Sequence, residues 1–89
     1  MRGHPKYTYG DIVRFKINYR DENDNIHEEI KEGVIAIIDY CGTFFDDSDV
    51  SYDILVKSEN RLYKHFKETT VIEKVGQISK EEIWKEWKI

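Results

Sequence analysis

The residues that could do chemistry form three groups. The first is Asp21-x-Asn23-x-Asn25-Ile26-x₅-Glu32. It has the oxygen spacing of a calcium-binding EF-hand loop, in which carboxylates and amides wrap the ion and a central glycine permits the sharp turn. Ile26 stands where that glycine is needed, and a β-branched residue resists the backbone conformation glycine supplies. A strand pattern also precedes the loop where a helix is required, so the segment reads as an acidic hairpin loop. The second group is Asp46, Asp47, Asp49 and Asp53, carboxylates crowded without the spacing of a calcium loop, which reads as a solvated acidic tip. The third is Cys41 with His4, His27 and His65, which share no metal-ligand spacing. Cys41-Gly42 could present a thiol and His65 could approach it, but no third residue orients the pair as nucleophilic catalysis requires. Gly33, Gly42 and Gly76 are isolated, so no phosphate-cradling loop is present. The remaining carboxylates lie in polar runs, where a pKa raised for acid catalysis is hard to obtain. The expectation is a non-enzymatic protein with no metal and no cofactor.

The elements that must position these residues are short. The 89 residues suffice for one small domain with a thin core. No run of about 18 apolar residues is present to span a membrane, and the opening residues lack the apolar stretch of a secretory signal. A single cysteine cannot form an internal disulfide, which fits a reducing cytoplasm. The net charge of -4 is unevenly spread: residues 1–19 carry +3, residues 20–60 carry -9 and residues 61–89 carry +2. The middle segment either solvates the domain or meets a partner with a basic surface. A duplex-binding domain usually shows the opposite excess.

Asp11–Tyr19 alternates, with Val13, Phe15, Ile17 and Tyr19 on one face and Arg14, Lys16 and Asn18 on the other, the pattern of a half-buried strand. Residues 26–32 form a weaker extended stretch, and Gly33 predicts a bulge or bend. Val34-Ile-Ala-Ile-Ile38 is continuously apolar and suits a central strand covered on both sides. Tyr52, Ile54 and Val56 mark a third strand, residues 61–66 a fourth after a tight turn at 58–60, and residues 71–75 a fifth after a single turn at 67–70. The pattern predicts a mainly β, small five-stranded barrel, closed because an open thin sheet leaves exposed edges. Beyond it, Ser79 with Glu82 reads as a capping box and Ile78 with Ile83 as a hydrophobic staple, predicting a C-terminal α-helix of about ten residues. Its Trp84 and Trp87 would either close the barrel end or bind a partner.

The stretch from Ser51 to Val75 resembles the last three strands of SH3-like barrels, in which a tight hairpin is followed by a one-turn 3₁₀ segment and a short final strand. Tyr9-Gly10-Asp11-Ile12-Val13-Arg14-Phe15 looks like the opening strand of KOW-type barrels. The chain thus resembles small SH3-like barrel proteins, of KOW- or Tudor-like topology, carried by bacteria and their prophages. The resemblance implies an N-terminal tail over 1–6, a barrel over 7–76 and an added helix over 77–89. A fold of this kind does not fix a function.

Aromatic residues beside loops carry the functional expectation. Tyr40, Phe44, Phe45, Tyr52 and Tyr63 exceed what a small barrel buries, and adjacent Phe44 and Phe45 cannot both face inward from an extended loop. Aromatic anchors ringed by charge concentrate binding energy at interfaces. The first expectation is therefore a protein-binding module using Phe44, Phe45, Asp46, Asp47, Asp49, Tyr52, Trp84 and Trp87 against a basic surface. If the prophage resemblance holds, the chain would be an accessory protein that binds or inhibits a host protein. The alternative is a nucleic-acid-binding regulator, with Arg14, Lys16, Arg61 and Lys64 tracking phosphates and Tyr63 stacking a base, which the charge balance disfavours. A monomer or a weak homodimer through the tryptophan tail completes the set. In the first case, Asp46→Lys and Asp47→Lys should weaken a salt-sensitive complex; unchanged affinity in a binding titration would exclude the acidic-surface reading.

Overall fold

The computed structural model describes residues 5–39 and 50–85. Five antiparallel strands form one sheet: β1 (Asp11–Arg20), β2 (Ile26–Asp39), β3 (Ser51–Val56), β4 (Arg61–Lys67) and β5 (Val71–Gln77). Their order is β4-β3-β2-β1-β5, a four-strand meander whose last strand returns to the free side of β1. One-turn 3₁₀ segments at Lys57–Glu59 and Glu68–Thr70 make the β3–β4 and β4–β5 connections.

Cross-strand partners share a face, so the register sorts the side chains. On the inner face Val13, Phe15, Ile35, Ile54 and Tyr63 pack with Tyr52, Val56 and Val71 into the main core. On the outer face Val34, Ala36 and Leu55 form a second, smaller core with Ile83 from the tail. The continuously apolar run of β2 is thus covered on both sides at Val34, Ile35, Ala36 and Ile38, while Ile37 remains exposed. A register shift between Ile35 and Ile37 makes this arrangement work. The extra residue returns Ile38 to the face of Ile35, three positions on, where strict alternation would send it outward. The irregularity expected at Gly33 therefore lies at Ala36. Gly33 pairs regularly with Val13, and glycine is needed there because a Cβ would stand 2.7 Å from Ile54 Cγ2 and 2.9 Å from the Leu55 carbonyl oxygen.

Two expectations are corrected. The sheet is not closed: β4 and β5 are its two edges, joined only by the Glu68–Thr70 turn. Both edge strands are kinked away from a straight ladder. β4 carries one extra residue opposite Asp53, with His65 at φ 64° and its N–H donating to Asp53 Oδ1 at 3.0 Å. β5 shifts register twice against β1. The C-terminal α-helix is likewise not formed over the described residues, which show one 3₁₀ turn at Lys80–Glu82 followed by a turn through Lys85. Ser79 makes no side-chain capping bond. A helix this short is marginal alone, and tertiary contacts fix the tail instead. The Ile78 N–H donates to the Gly10 carbonyl at 2.8 Å, Lys57 Nζ donates to the Glu82 carbonyl at 2.8 Å, and Ile83 is only 1% exposed.

Gly10 sits at φ +90°, and a Cβ there would lie 2.2 Å from the Ile78 carbonyl oxygen. Gly10→Ala should therefore combine left-handed strain with a backbone clash and cost about 1–3 kcal/mol in urea unfolding. A change within about 0.5 kcal/mol, the range of ordinary surface substitutions, would contradict this close approach.

Candidate functional site

β5 pairs with β1 only from Asp11 to Phe15, and β3 pairs with β2 only from Val34 to Asp39. The β1–β2 ladder continues from there to Arg20 opposite Ile26. Residues 16–31 are therefore a two-stranded arm extending past the rest of the sheet. Such a hairpin has little intrinsic stability and depends on cross-strand pairs. The Tyr19 and His27 rings stack at 5.2 Å between centroids, and the Tyr19 hydroxyl donates to Glu29 Oε1 at 3.1 Å, which raises the phenol's pKa.

At the arm's tip Asp21 Oδ1 accepts the backbone N–H groups of Asn23 and Asn25, at 2.9 and 3.0 Å, and Oδ2 lies 2.6 Å from His27 Nε2. His27 first, and the backbone N–H bonds after it, hold the Asp21 carboxyl below its ordinary value. The Asp-x-Asn-x-Asn spacing thus builds an Asx turn, in which one aspartate oxygen takes the loop's own backbone N–H groups and the other faces His27. No cluster of three or more metal-ligating side chains occurs among the described residues.

The inner face of the arm looks across a groove of about 680 Å³ to β4 and the turn before it. Ile17, Tyr19, Glu29 and Lys31 line one side, and Glu59, Arg61, Tyr63, Lys64 and Phe66 the other. Lys31 ties the two together. Its Nζ lies 2.5 Å from Glu59 Oε2 and 3.3 Å from Glu29 Oε2. Tyr63 donates its hydroxyl to Glu59 Oε1 at 2.5 Å. The ring of Tyr63 meets Phe15 and Phe66 edge-on, at 5.7 and 6.0 Å, and Arg61 lies over it with Cζ 4.4 Å from the centroid. The pKa directions follow from these contacts. Glu59 holds the Lys31 ammonium up, Lys31 and then Tyr63 hold the Glu59 carboxyl down, and burial with the Glu59 hydrogen bond raises the Tyr63 phenol.

No protein-family model matches the chain, and comparisons with curated proteins and with solved structures find no match.

The groove gathers part of one expected set and separates the rest. Arg61, Tyr63 and Lys64 stand together on it. Arg14 and Lys16 belong to the outer face, where Arg14 pairs with Glu73 at 2.9 Å and Glu32 at 3.8 Å, and Lys16 with Glu28 at 3.6 Å. The expected phosphate track is thereby divided between two faces, and its strand portion is neutralised. Tyr52 is fully buried, donating its hydroxyl to Glu68 Oε2 at 2.5 Å and accepting the Tyr7 N–H at 3.3 Å, so its place is in the core. Trp84 is 41% exposed. Phe44, Phe45, Asp46, Asp47, Asp49 and Trp87, with Cys41, lie outside the described residues. Lys31 and Glu59 join the site without having been expected there. The only sequence signal for them was a cation in an otherwise acidic strand and a carboxylate in the turn before β4.

Because Glu59 has a depressed pKa in the folded chain, its contribution is present above the ordinary glutamate value of about 4.3 and is lost as pH falls through the lower folded value. The wild-type chain should thus lose stability more steeply than Glu59→Gln below about pH 4.3, as read from urea midpoints across an acid series. Parallel profiles would show that Glu59 titrates alike in the folded and unfolded chain, so that its pairing with Lys31 and Tyr63 is not linked to stability.

Proposed function

We propose that this chain is a non-enzymatic protein-binding module built on an SH3-like sheet. The strand order, with β1 between β2 and β5 and a 3₁₀ turn leading into β5, supports the SH3-like reading. The single cysteine supports a reducing, cytoplasmic setting, and no helix among the described residues is long and apolar enough to cross a membrane. The observation that carries the functional reading is the groove wall in which Arg61 lies on the Tyr63 ring while Glu59, itself paired with Lys31, accepts the tyrosine's hydroxyl. Tyrosine and arginine are the side chains that concentrate energy at protein interfaces, and an aromatic anchor fixed in advance loses little entropy on binding.

The twelve carboxylates of residues 20–60 add a second polarity. Through Phe44, Phe45 and the aspartates at 46, 47 and 49, they support contact with a basic patch on the same partner. The sequence resemblance to prophage-borne barrels supports an accessory role directed at a host protein. The nucleic-acid alternative loses support from the pairing of Arg14 and Lys16 with glutamates on the outer face.

The test is affinity capture from a bacterial lysate, with and without nuclease, followed by mass spectrometry. A specific protein should be retained after nuclease treatment and released by added salt. If everything retained disappears on digestion of nucleic acid, the protein-binding reading fails.

A further inference from the structure

Three cations reach the groove, and they are not equivalent. Lys31 is held between Glu29 and Glu59. Arg61 and Lys64 form no ion pair within 4.0 Å among the described residues; Arg61 lies on the Tyr63 ring, with the already engaged Glu59 close enough to feel its charge. The two groove carboxylates are themselves engaged, Glu59 by Lys31 and the Tyr63 hydroxyl, Glu29 by Lys31 and the Tyr19 hydroxyl. A chain of net charge -4 therefore presents a groove whose unneutralised charge is positive.

Arg61 is also arranged in advance. The Tyr63 ring beneath it is only 7% exposed, bonded to Glu59 through its hydroxyl and braced edge-on by Phe15 and Phe66. A guanidinium lying over a fixed ring has less freedom to lose on binding, and its fork of N–H donors matches a carboxylate. Beside it Ile17, Tyr19 and Phe66 offer apolar surface.

We infer that the groove between the arm and β4 takes an acidic peptide segment of the partner protein, with Arg61 engaging a carboxylate and Tyr19 and Phe66 receiving a neighbouring apolar side chain. The inference rests on the protein-binding reading and gives the chemistry of its partner at this face. A nucleic-acid strand fits less well. The face of Tyr63 is already covered by Arg61, so it offers no open stacking platform, and two cations flanked by Glu29 and Glu59 make no phosphate track.

The test titrates the full chain by NMR with three probes: a capped peptide alternating glutamate with phenylalanine, its lysine-for-glutamate counterpart, and oligothymidylate. The glutamate peptide should shift the Arg61 Nε–H and Tyr63 ring resonances. Arg61→Gln should weaken its binding about tenfold or more, and Lys64→Gln by less. Thermal unfolding of both variants checks that the fold is kept; should Arg61→Gln not fold, Lys64→Gln and the Arg61 resonances still decide. Binding of the lysine peptide as tightly as the glutamate peptide, or Arg61 resonances unmoved by the latter, would overturn the inference. Preference for oligothymidylate would reassign the groove to nucleic acid. If Arg61→Gln captures the same nuclease-resistant protein from lysate as the wild type, the groove assignment fails while the protein-binding reading stands.

Discussion

The run from Val34 to Ile38 has to be removed from water on both faces, and most of the architecture answers to that demand. An apolar stretch in a central strand cannot be half-solvated as an alternating strand is. The main core meets the demand on the inner face, where Ile35 and Ile38 join Phe15, Tyr52 and Ile54. On the outer face the described residues supply no second sheet or helix. The chain brings its tail across after β5 and lays Ile83 against Val34, Ala36 and Leu55. Gly10 allows the tail to pass close by, and Lys57 donates to the Glu82 carbonyl at its far end.

The same demand explains what is left uncovered. Once β2 passes Gly33 toward its N-terminal end, its sequence turns to Glu32, Lys31, Ile30, Glu29 and Glu28, and on the arm the main core reaches no further than Ile17. β3 and β5 stop at that boundary because they have nothing further to bury. The arm and its groove are thus the part of the sheet where apolar packing gives way to charge pairing. Arg61, Tyr63 and Lys31 lie on the seam, with Tyr63 still in the core and Arg61 already in water.

Strand positions were legible in the sequence because alternation and β-branched runs report burial directly. Val13, Phe15 and Ile17 declared an inward face, and the two short turns before β4 and β5 were placed within a residue. The tail was not legible. Ser79, Glu82 and Ile83 carry a local helix signal, but Ile83 takes its position from Val34, Ala36 and Leu55, more than 25 residues away. Closure was over-read for a related reason, since register shifts in β4 and β5 depend on pairing partners and leave no mark on alternation. The groove was half legible. Arg61, Tyr63 and Lys64 stood out by type, whereas Lys31 and Glu59 become neighbours only through the fold. Arg14 and Lys16 show the converse: free cations when counted along the chain, they are neutralised once register sets Glu32, Glu73 and Glu28 beside them.

The arm gives the groove walls of unequal stiffness. β4 presents Tyr63 from within the main core, so displacing that wall means disturbing Phe15 and Phe66 as well. The opposite wall is a ribbon held by one ring stack, Ile17 against the main core, the Lys31 tie to Glu59 and otherwise exposed pairs, whose local opening requires less free energy than global unfolding. A cleft with one fixed jaw and one compliant jaw can adjust its width without repacking the core. In the proposed binding role, selectivity would reside on the fixed side, and tolerance for differently sized occupants on the other.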